Sequence, residues 1–327
     1  EITLPTGKDN DGNQRTAVCC LSSLNLDTYD EWSEDPQFVE DVMRFLDNVM
    51  SDFIERAPDE FAHAKYSAMR ERSVGLGVMG LHSYFQKKNI PFGSVMSKVW
   101  NKKVFKNIQE KVDAASKSLA EERGACPDAE EYGIKERFSN KTAIAPTASI
   151  SIICGGSSPG IEPIAANSYT HKTLSGSFNV RNKYLKKILS KYKKDTDDVW
   201  SSITTNQGSV SHLNFLTAEE KDTFKTAFEI DQRWIVELGA DRTPHISQAQ
   251  SINIFIPADI HKKDLHNLHF QAWKKGLKSL YYCRSKSIQR AENVNKGTST
   301  DVTKNVYSQG QESNNESNNY EECLSCQ

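Results

Sequence analysis

The 327-residue chain has no surplus of charge of either sign: 41 Lys and Arg face 43 Asp and Glu, a formal net charge of −2. A protein held to phosphates by counterion release, or drawn to an anionic membrane, needs a basic excess that is missing here. Nucleic acid and membrane are therefore not expected as partners. No apolar run approaches the roughly 20 residues of a bilayer-spanning helix. Cysteine is sparse as well. Seven residues, an odd number spread along the whole chain, argue against a disulfide scaffold and point to a reducing cytosol. A zinc site lacks its ligands, because the CxxC at Cys323 and Cys326 has no second CxxC or HxxxH at workable spacing. There is no internal repeat. An initiator Met and a signal peptide are also missing: the chain opens Glu1-Ile2-Thr3-Leu4-Pro5, as though inside a longer sequence.

What is present suffices for one large domain or two ordinary ones. An apolar stripe at Phe38, Val42, Phe45/Leu46, Val49 and Phe53 predicts an amphipathic helix over 33–56, with Pro36 in its first turn. A second helix is predicted over 96–123, stopping at Gly124. Thr217 and Glu220 form a capping box opening a third, which runs through Phe224, Phe228, Trp234 and Leu238 to Gly239. Short β-branched or apolar runs at 17–21, 142–145, 251–256 and 278–283 lie between the helical segments. Strands alternating with helices imply an α/β architecture with parallel pairing, closer to a barrel than a sandwich. Gly75, Gly77 and Gly80 spell GxGxxG, but a charged stretch precedes them and no acidic ribose ligand follows at the right distance. Close helix packing is the simpler expectation for these glycines.

From 295 onward the sequence is rich in Ser, Thr, Asn and Glu and nearly free of large aliphatics, so it cannot bury enough apolar surface to offset its ordering entropy. A disordered tail over 295–327 is expected, behind a folded unit over 1–294. With about 26 flexible residues, the terminal CxxC would roam about 25–30 Å from its anchor, enough to carry electrons between a buried site and an external reductant. Composition alone equally allows a ragged terminus whose thiols do nothing.

Three further segments carry chemistry. Residues 141–151, KTAIAPTASIS, read as a strand, a Pro-Thr turn and small hydroxyl residues opening a helix, whose free N–H groups suit a phosphate. Residues 159–163, PGIEP, set an acid between two prolines in a rigid turn. Tyr281 and Tyr282 are adjacent; on strand periodicity alone one would face the core and the other the surface.

Taken in order, EITLPT (1–6), AVCCLSSLNL (17–26), RSVGLGVMGL (72–81), GACP (124–127), APTASIS (145–151), PGIEP (159–163), SLYY (279–282) and CLSC (323–326) resemble the catalytic large subunit of class I ribonucleotide reductase, most closely its bacterial and phage branch. The resemblance covers essentially the whole chain. It implies the C-terminal half of a ten-stranded α/β barrel. It also implies that Glu1 is the carboxylate taking the 3′-hydroxyl proton of the substrate, with the radical cysteine two residues upstream. Cys19 would be one of two cysteines that reduce the 2′-carbon, and Cys20 a small buried residue. Pro146, Thr147, Ala148, Ser149 and Ile150 would hold the substrate diphosphate. Tyr281 and Tyr282 would relay the radical from the small subunit, which reverses the reading from periodicity. Cys323 and Cys326 would be the shuttle dithiol, re-reduced by thioredoxin or glutaredoxin.

The implied reaction converts ribonucleoside diphosphates to 2′-deoxyribonucleoside diphosphates in the cytoplasm, or a host's cytoplasm if the gene is a phage's. No metal or cofactor is expected on this chain. An iron or manganese radical centre would belong to the small subunit, and ATP and dNTP effectors to an N-terminal complement. Alone, the chain is expected to be inactive. Two rivals are a cobalamin-dependent reductase, which the tyrosine pair opposes, and a fragment that only binds the small subunit, which the retained cysteines and tyrosines oppose.

Overall fold

Residues 1–173 and 176–285 of the chain are described by a computed structural model. The expected tail, with Cys323 and Cys326, lies outside them. A two-residue antiparallel pair, β1 (Gly7–Lys8) and β2 (Gln14–Arg15), follows the N-terminal segment. The site-bearing framework is a row of five parallel backbone segments. β3 (Leu21–Asn25) pairs in parallel with β4 (Gly75–Met79). Leu76 of β4 bridges Thr142, and Ile144 bridges Gln250, both in parallel. The chain from Gln250 runs into β7 (Ile254–Ile256), which pairs in parallel with β8 (Cys283–Ser285). Between these, β5 (Ser168–Thr173) and β6 (Gly176–Arg181) form an antiparallel ribbon. Five parallel segments in a row are half of the expected ten.

The central segment explains the glycines. All five residues of β4 are buried, as in a parallel strand covered on both faces. A Cβ at Gly75 would lie 2.2 Å from Leu21 Cδ2 and 2.8 Å from Ala143 Cβ, and one at Gly77 would lie 2.3 Å from the Ala143 carbonyl oxygen. The glycines therefore bring neighbouring strands together; the expectation of helix packing is corrected. Charged residues of 69–74 mislead because they are directed away from the strand: Arg72 pairs with buried Asp47, and Arg70 pairs with Asp128 and Glu131.

Helices cover the ladder, with several boundaries moved from expectation. The helix Val95–Arg123 opens on a Ser94 capping box and ends at Gly124 with φ +86°. The first predicted helix spans Phe38–Arg56, and Pro36 lies before its first turn. Its buried face is Val39, Met43, Leu46, Asp47 and Met50, whereas Phe45 and Val49 are exposed. Of the expected stripe, Leu46 is buried and Phe38, Val42 and Phe53 pack against the core; buried Asp47 widens the core face to the side away from Phe45 and Val49. The third predicted helix is two. Ala218–Thr223 carries the Thr217 capping box, then the chain breaks, and Gln232–Arg242 begins on an Asp231 cap. Gly239 sits inside the latter, where a Cβ would meet Ile252 and Leu277 at 2.9 Å, so it serves packing and not termination. The first strand falls at Leu21–Asn25, later than 17–21, and the last at Cys283–Ser285, later than 278–283. No helix among the described residues is long and apolar enough to cross a membrane.

Asp47 ties three elements together. It is fully buried and accepts from Arg72 (Nε 3.0 Å, to Oδ1), Arg137 (Nε 2.8 Å, to Oδ1) and Arg123 (2.9 Å, to Oδ2). Burial alone would raise its carboxyl, but hydrogen bonds from Arg137 and the charge of Arg72 hold it below the ordinary carboxylate range. Its stabilising contribution is present above the ordinary carboxylate pKa and is lost as pH falls through the depressed value. Asp47→Asn should cost about 3 kcal/mol at pH 7, since three guanidinium groups lose their counter-charge. Denaturant unfolding should show that difference, narrowing in acid, where the wild-type carboxyl also protonates.

Candidate active site

The site is assembled on the fourth parallel segment, residues 248–256. Its side chains alternate, so Ser251 and Asn253 share one face. Ser251 Oγ donates to Glu1 Oε2 at 2.6 Å, and Ala249 N donates to the Glu1 carbonyl at 2.9 Å. Gln248, 1% exposed, accepts from Thr3 N through Oε1 (3.1 Å) and donates to the Val74 carbonyl through Nε2 (3.1 Å). The N-terminal segment, 245 to 250 positions away in sequence, is thus fixed to this strand with the Glu1 carboxylate in a defined place.

The same strand anchors the tyrosines of the neighbouring segment. Tyr281 N donates to the Ile252 carbonyl at 2.8 Å, Ile254 N to the Tyr282 carbonyl at 2.9 Å, and Tyr282 N to Asn253 Oδ1 at 2.9 Å. Their rings lie 4.1 Å apart between centroids at an interplanar angle of 46°. Strand alternation would send the rings to opposite faces. They touch because β8 begins only at Cys283. Arg284 lies over the Tyr282 ring at 5.7 Å.

Residues 146–150 follow the C-terminal end of the third segment, where ligand sites of parallel sheets collect. Thr147 caps a six-residue helix, Ala148–Ile153, with φ +54° and ψ +28°, a left-handed backbone unusual for a β-branched residue. Its buried Oγ1 accepts from Gly160 N at 2.7 Å. That bond brings the PGIEP turn beside the loop. Pro146 is buried, whereas Ser149 and Ile150 are exposed. The connecting residues 154–158 lie against the ends of β3 and β4: Asn25 Nδ2 donates to the Cys154 carbonyl and Gly80 N to that of Ser158.

Glu162, in the PGIEP turn, is 8% exposed and accepts a short hydrogen bond from Asn253 Nδ2. Burial pushes its carboxyl up to about 7, against the opposing pull of Arg284 and Asn253. The structure thus brings together Glu1, the tyrosine pair and residues 146–150. Cys19 is exposed, just before β3, three segments along the ladder from residues 248–256. Cys20 is partly buried, its Sγ directed toward the Leu46 carbonyl at 4.0 Å, and burial with the neighbouring Cys19 raises its thiol to about 11. Sequence reasoning missed Ser251, Gln248 and Asn253, ordinary polar residues that gain meaning only from partners far away in sequence. Glu162 gave a partial signal as an acid between two prolines. No group of three or more His, Cys, Asp or Glu among the described residues is arranged to hold a metal ion.

The chain matches the family described as "Ribonucleotide reductase, barrel domain" over residues 1–135 and 127–283. It is 49% identical over 298 residues to the ribonucleoside-diphosphate reductase large subunit of Invertebrate iridescent virus 6, covering 90% of this chain and 30% of that protein. The large subunit of Invertebrate iridescent virus 3 is 45% identical over 92% of this chain and 47% of its own length. The large chain 2 of Saccharomyces cerevisiae is 30% identical over 84% and 36%. Among solved structures, the class Id ribonucleotide reductase alpha subunit of Actinobacillus ureae superposes with a TM-score of 0.78 at 41% identity, covering 84% of this chain and 50% of that one. The chain spans about a third to a half of the length of these relatives.

The two adjacent thiols should separate chemically. At pH 8, iodoacetamide should alkylate exposed Cys19 about 10-fold or more faster than Cys20, whose raised pKa leaves little thiolate. Tandem mass spectrometry of the shared peptide would read the two sites separately; equal rates would contradict the burial of Cys20.

Proposed function

The chain belongs to the ribonucleotide reductase family through its barrel domain, and from that premise we propose that it is the C-terminal part of a class I catalytic subunit reducing ribonucleoside diphosphates to their 2′-deoxy forms. The observation that carries this reading is the seating of Glu1. Its carboxylate accepts from Ser251 on the strand that also fixes the Tyr281–Tyr282 pair, so a candidate general base and two tyrosine rings in contact are held by one element.

In this reading Glu1 accepts the 3′-hydroxyl proton, and the Ser251 hydrogen bond orients the carboxylate for that task. Cys19 and a second thiol supplied from outside this chain give up two hydrogens. The 2′-hydroxyl leaves as water, the 2′-carbon gains hydrogen and the two sulfurs form a disulfide. Cys323 and Cys326 then reduce that disulfide by exchange and are themselves restored by thioredoxin or glutaredoxin. Residues 146–150 take the diphosphate, with Thr147 setting the loop's shape. The radical that starts the reaction comes from an iron or manganese centre in a small subunit and reaches an upstream cysteine through Tyr281 and Tyr282. ATP and dNTP effectors act on the N-terminal complement. The tyrosine pair favours this arrangement over a cobalamin-dependent one, which needs no relay from another subunit.

Mixed with an N-terminal complement, a small subunit and dithiothreitol, the chain should form deoxyribonucleoside diphosphate; inactivity where an intact homologue works would favour a binding-only fragment. Cys323→Ser should abolish turnover with thioredoxin and spare turnover with dithiothreitol, which enters the site directly. Ser251→Ala should lower kcat by about 10-fold and leave the substrate KM within about 2-fold, because the bond it removes orients the base rather than the substrate.

A further inference from the structure

We propose that Glu162 is a positioning residue for the tyrosine pair: through Asn253 its carboxylate fixes the backbone of Tyr282, and through the PGIEP turn it links that pair to the loop of residues 146–150. The inference rests on reading Tyr281 and Tyr282 as a relay.

The argument begins with the ambiguity of an asparagine side chain. A buried amide can present either its NH2 or its carbonyl to a neighbour, and the two orientations are nearly equal in shape. Asn253 is 1% exposed and faces two groups of opposite character. An ionised carboxylate only accepts hydrogen bonds and a backbone N–H only donates. With Glu162 on one side, Nδ2 must turn to it, which leaves Oδ1 aimed at Tyr282 N, where it accepts at 2.9 Å. Tyr282 N, which can only donate, and the Glu162 oxygen that accepts from Nδ2 therefore select the same orientation of Asn253, and the amide so held adds a third anchor to the two backbone bonds holding residues 281 and 282.

The other end of the link is equally short. Glu162 N donates to the Pro159 carbonyl at 3.1 Å, closing the turn, and Gly160 N donates to Thr147 Oγ1 at 2.7 Å. A Cβ at Gly160 would lie 3.1 Å from the Ala145 carbonyl oxygen and 3.3 Å from that of Pro146, so turn and loop are in direct contact. A shift of residues 146–150 on binding a phosphate would be felt at Glu162 through four residues of constrained backbone. Burial of a carboxylate with one strong partner is costly, and no packing need for an acid is visible here. The link gives the acid a task.

In the reconstituted holoenzyme, Glu162→Ala should lower kcat by about 10-fold or more with the ribonucleoside diphosphate KM within about 2-fold, since an ångström of misplacement in a reacting pair costs on the order of 100-fold. Glu162→Gln, whose Oε1 still accepts from Asn253, should stay within about 3-fold of wild type. Asn253→Asp alone should lose kcat as pH rises, because the two carboxyls can share one proton at lower pH but repel once both ionise, and Glu162→Gln with Asn253→Asp should regain activity there, because the amide now donates in the opposite direction. That pair carries the test even if Glu162→Ala does not fold. Full kcat in Glu162→Ala, or no recovery in the double variant, overturns the proposal. Tyr282→Phe separates the two readings: if it remains active, the relay itself is wrong, whereas if it is dead while Glu162→Ala is fully active, only the positioning role falls.

Discussion

Everything assigned to the site depends on the register of one strand. Residues 248–256 are bonded on one side to the backbone of 144 and on the other to residues 281–285, while their side chains reach Glu1, Thr3, Val74, Glu162 and Tyr282. Because side chains alternate, a slip of one residue would turn Ser251 and Asn253 away together. The close approach of β4 to residues 142–144, allowed by Gly75 and Gly77, sets the spacing from which that register is measured. Bulkier residues there would change the ladder, and the site would follow.

Buried charge is handled in two ways in this molecule. Asp47 has three guanidinium partners and stays ionised below its ordinary range. Glu71 is just as buried, yet it receives only a Ser73 hydroxyl, its Oε1 has no hydrogen-bond partner among the described residues, and burial pushes it to about 7. Glu162 resembles Glu71 in this respect. The difference is the count of donors, not depth. Asp47 clamps helix to helix, and Glu162 sits between the tyrosine pair and the loop of residues 146–150.

How much of this was legible in the sequence follows from which interactions are local. The capping boxes at Ser94 and Thr217 and the stop at Gly124 depend on neighbours within four residues; Thr217 and Gly124 were read from sequence, while Ser94 came with the structure. The α/β class was legible because apolar runs alternate with helical periods. The stripe of Phe38–Arg56 was legible in Phe38, Val42, Leu46 and Phe53 but not at Phe45 and Val49, since hydrophobicity alone cannot foresee a core aspartate neutralised by arginines 25, 76 and 90 positions away. Glycines 75 and 77 were misread for a similar reason: what they admit is a backbone from residue 143. Glu1, Cys19 and the tyrosines came from resemblance in ordered motifs. Ser251, Gln248 and Asn253 needed the fold, because their meaning lies in partners across the ladder.

Thr147 has a further consequence. Its left-handed backbone costs about 1 kcal/mol, and the hydrogen bond its Oγ1 accepts from Gly160 N returns about the same. The strained residue and the bond that holds it therefore come as a pair, so the shape of residues 146–150 is kept not by its own backbone preference but by the neighbouring turn, and whatever displaces Gly160 also releases Thr147.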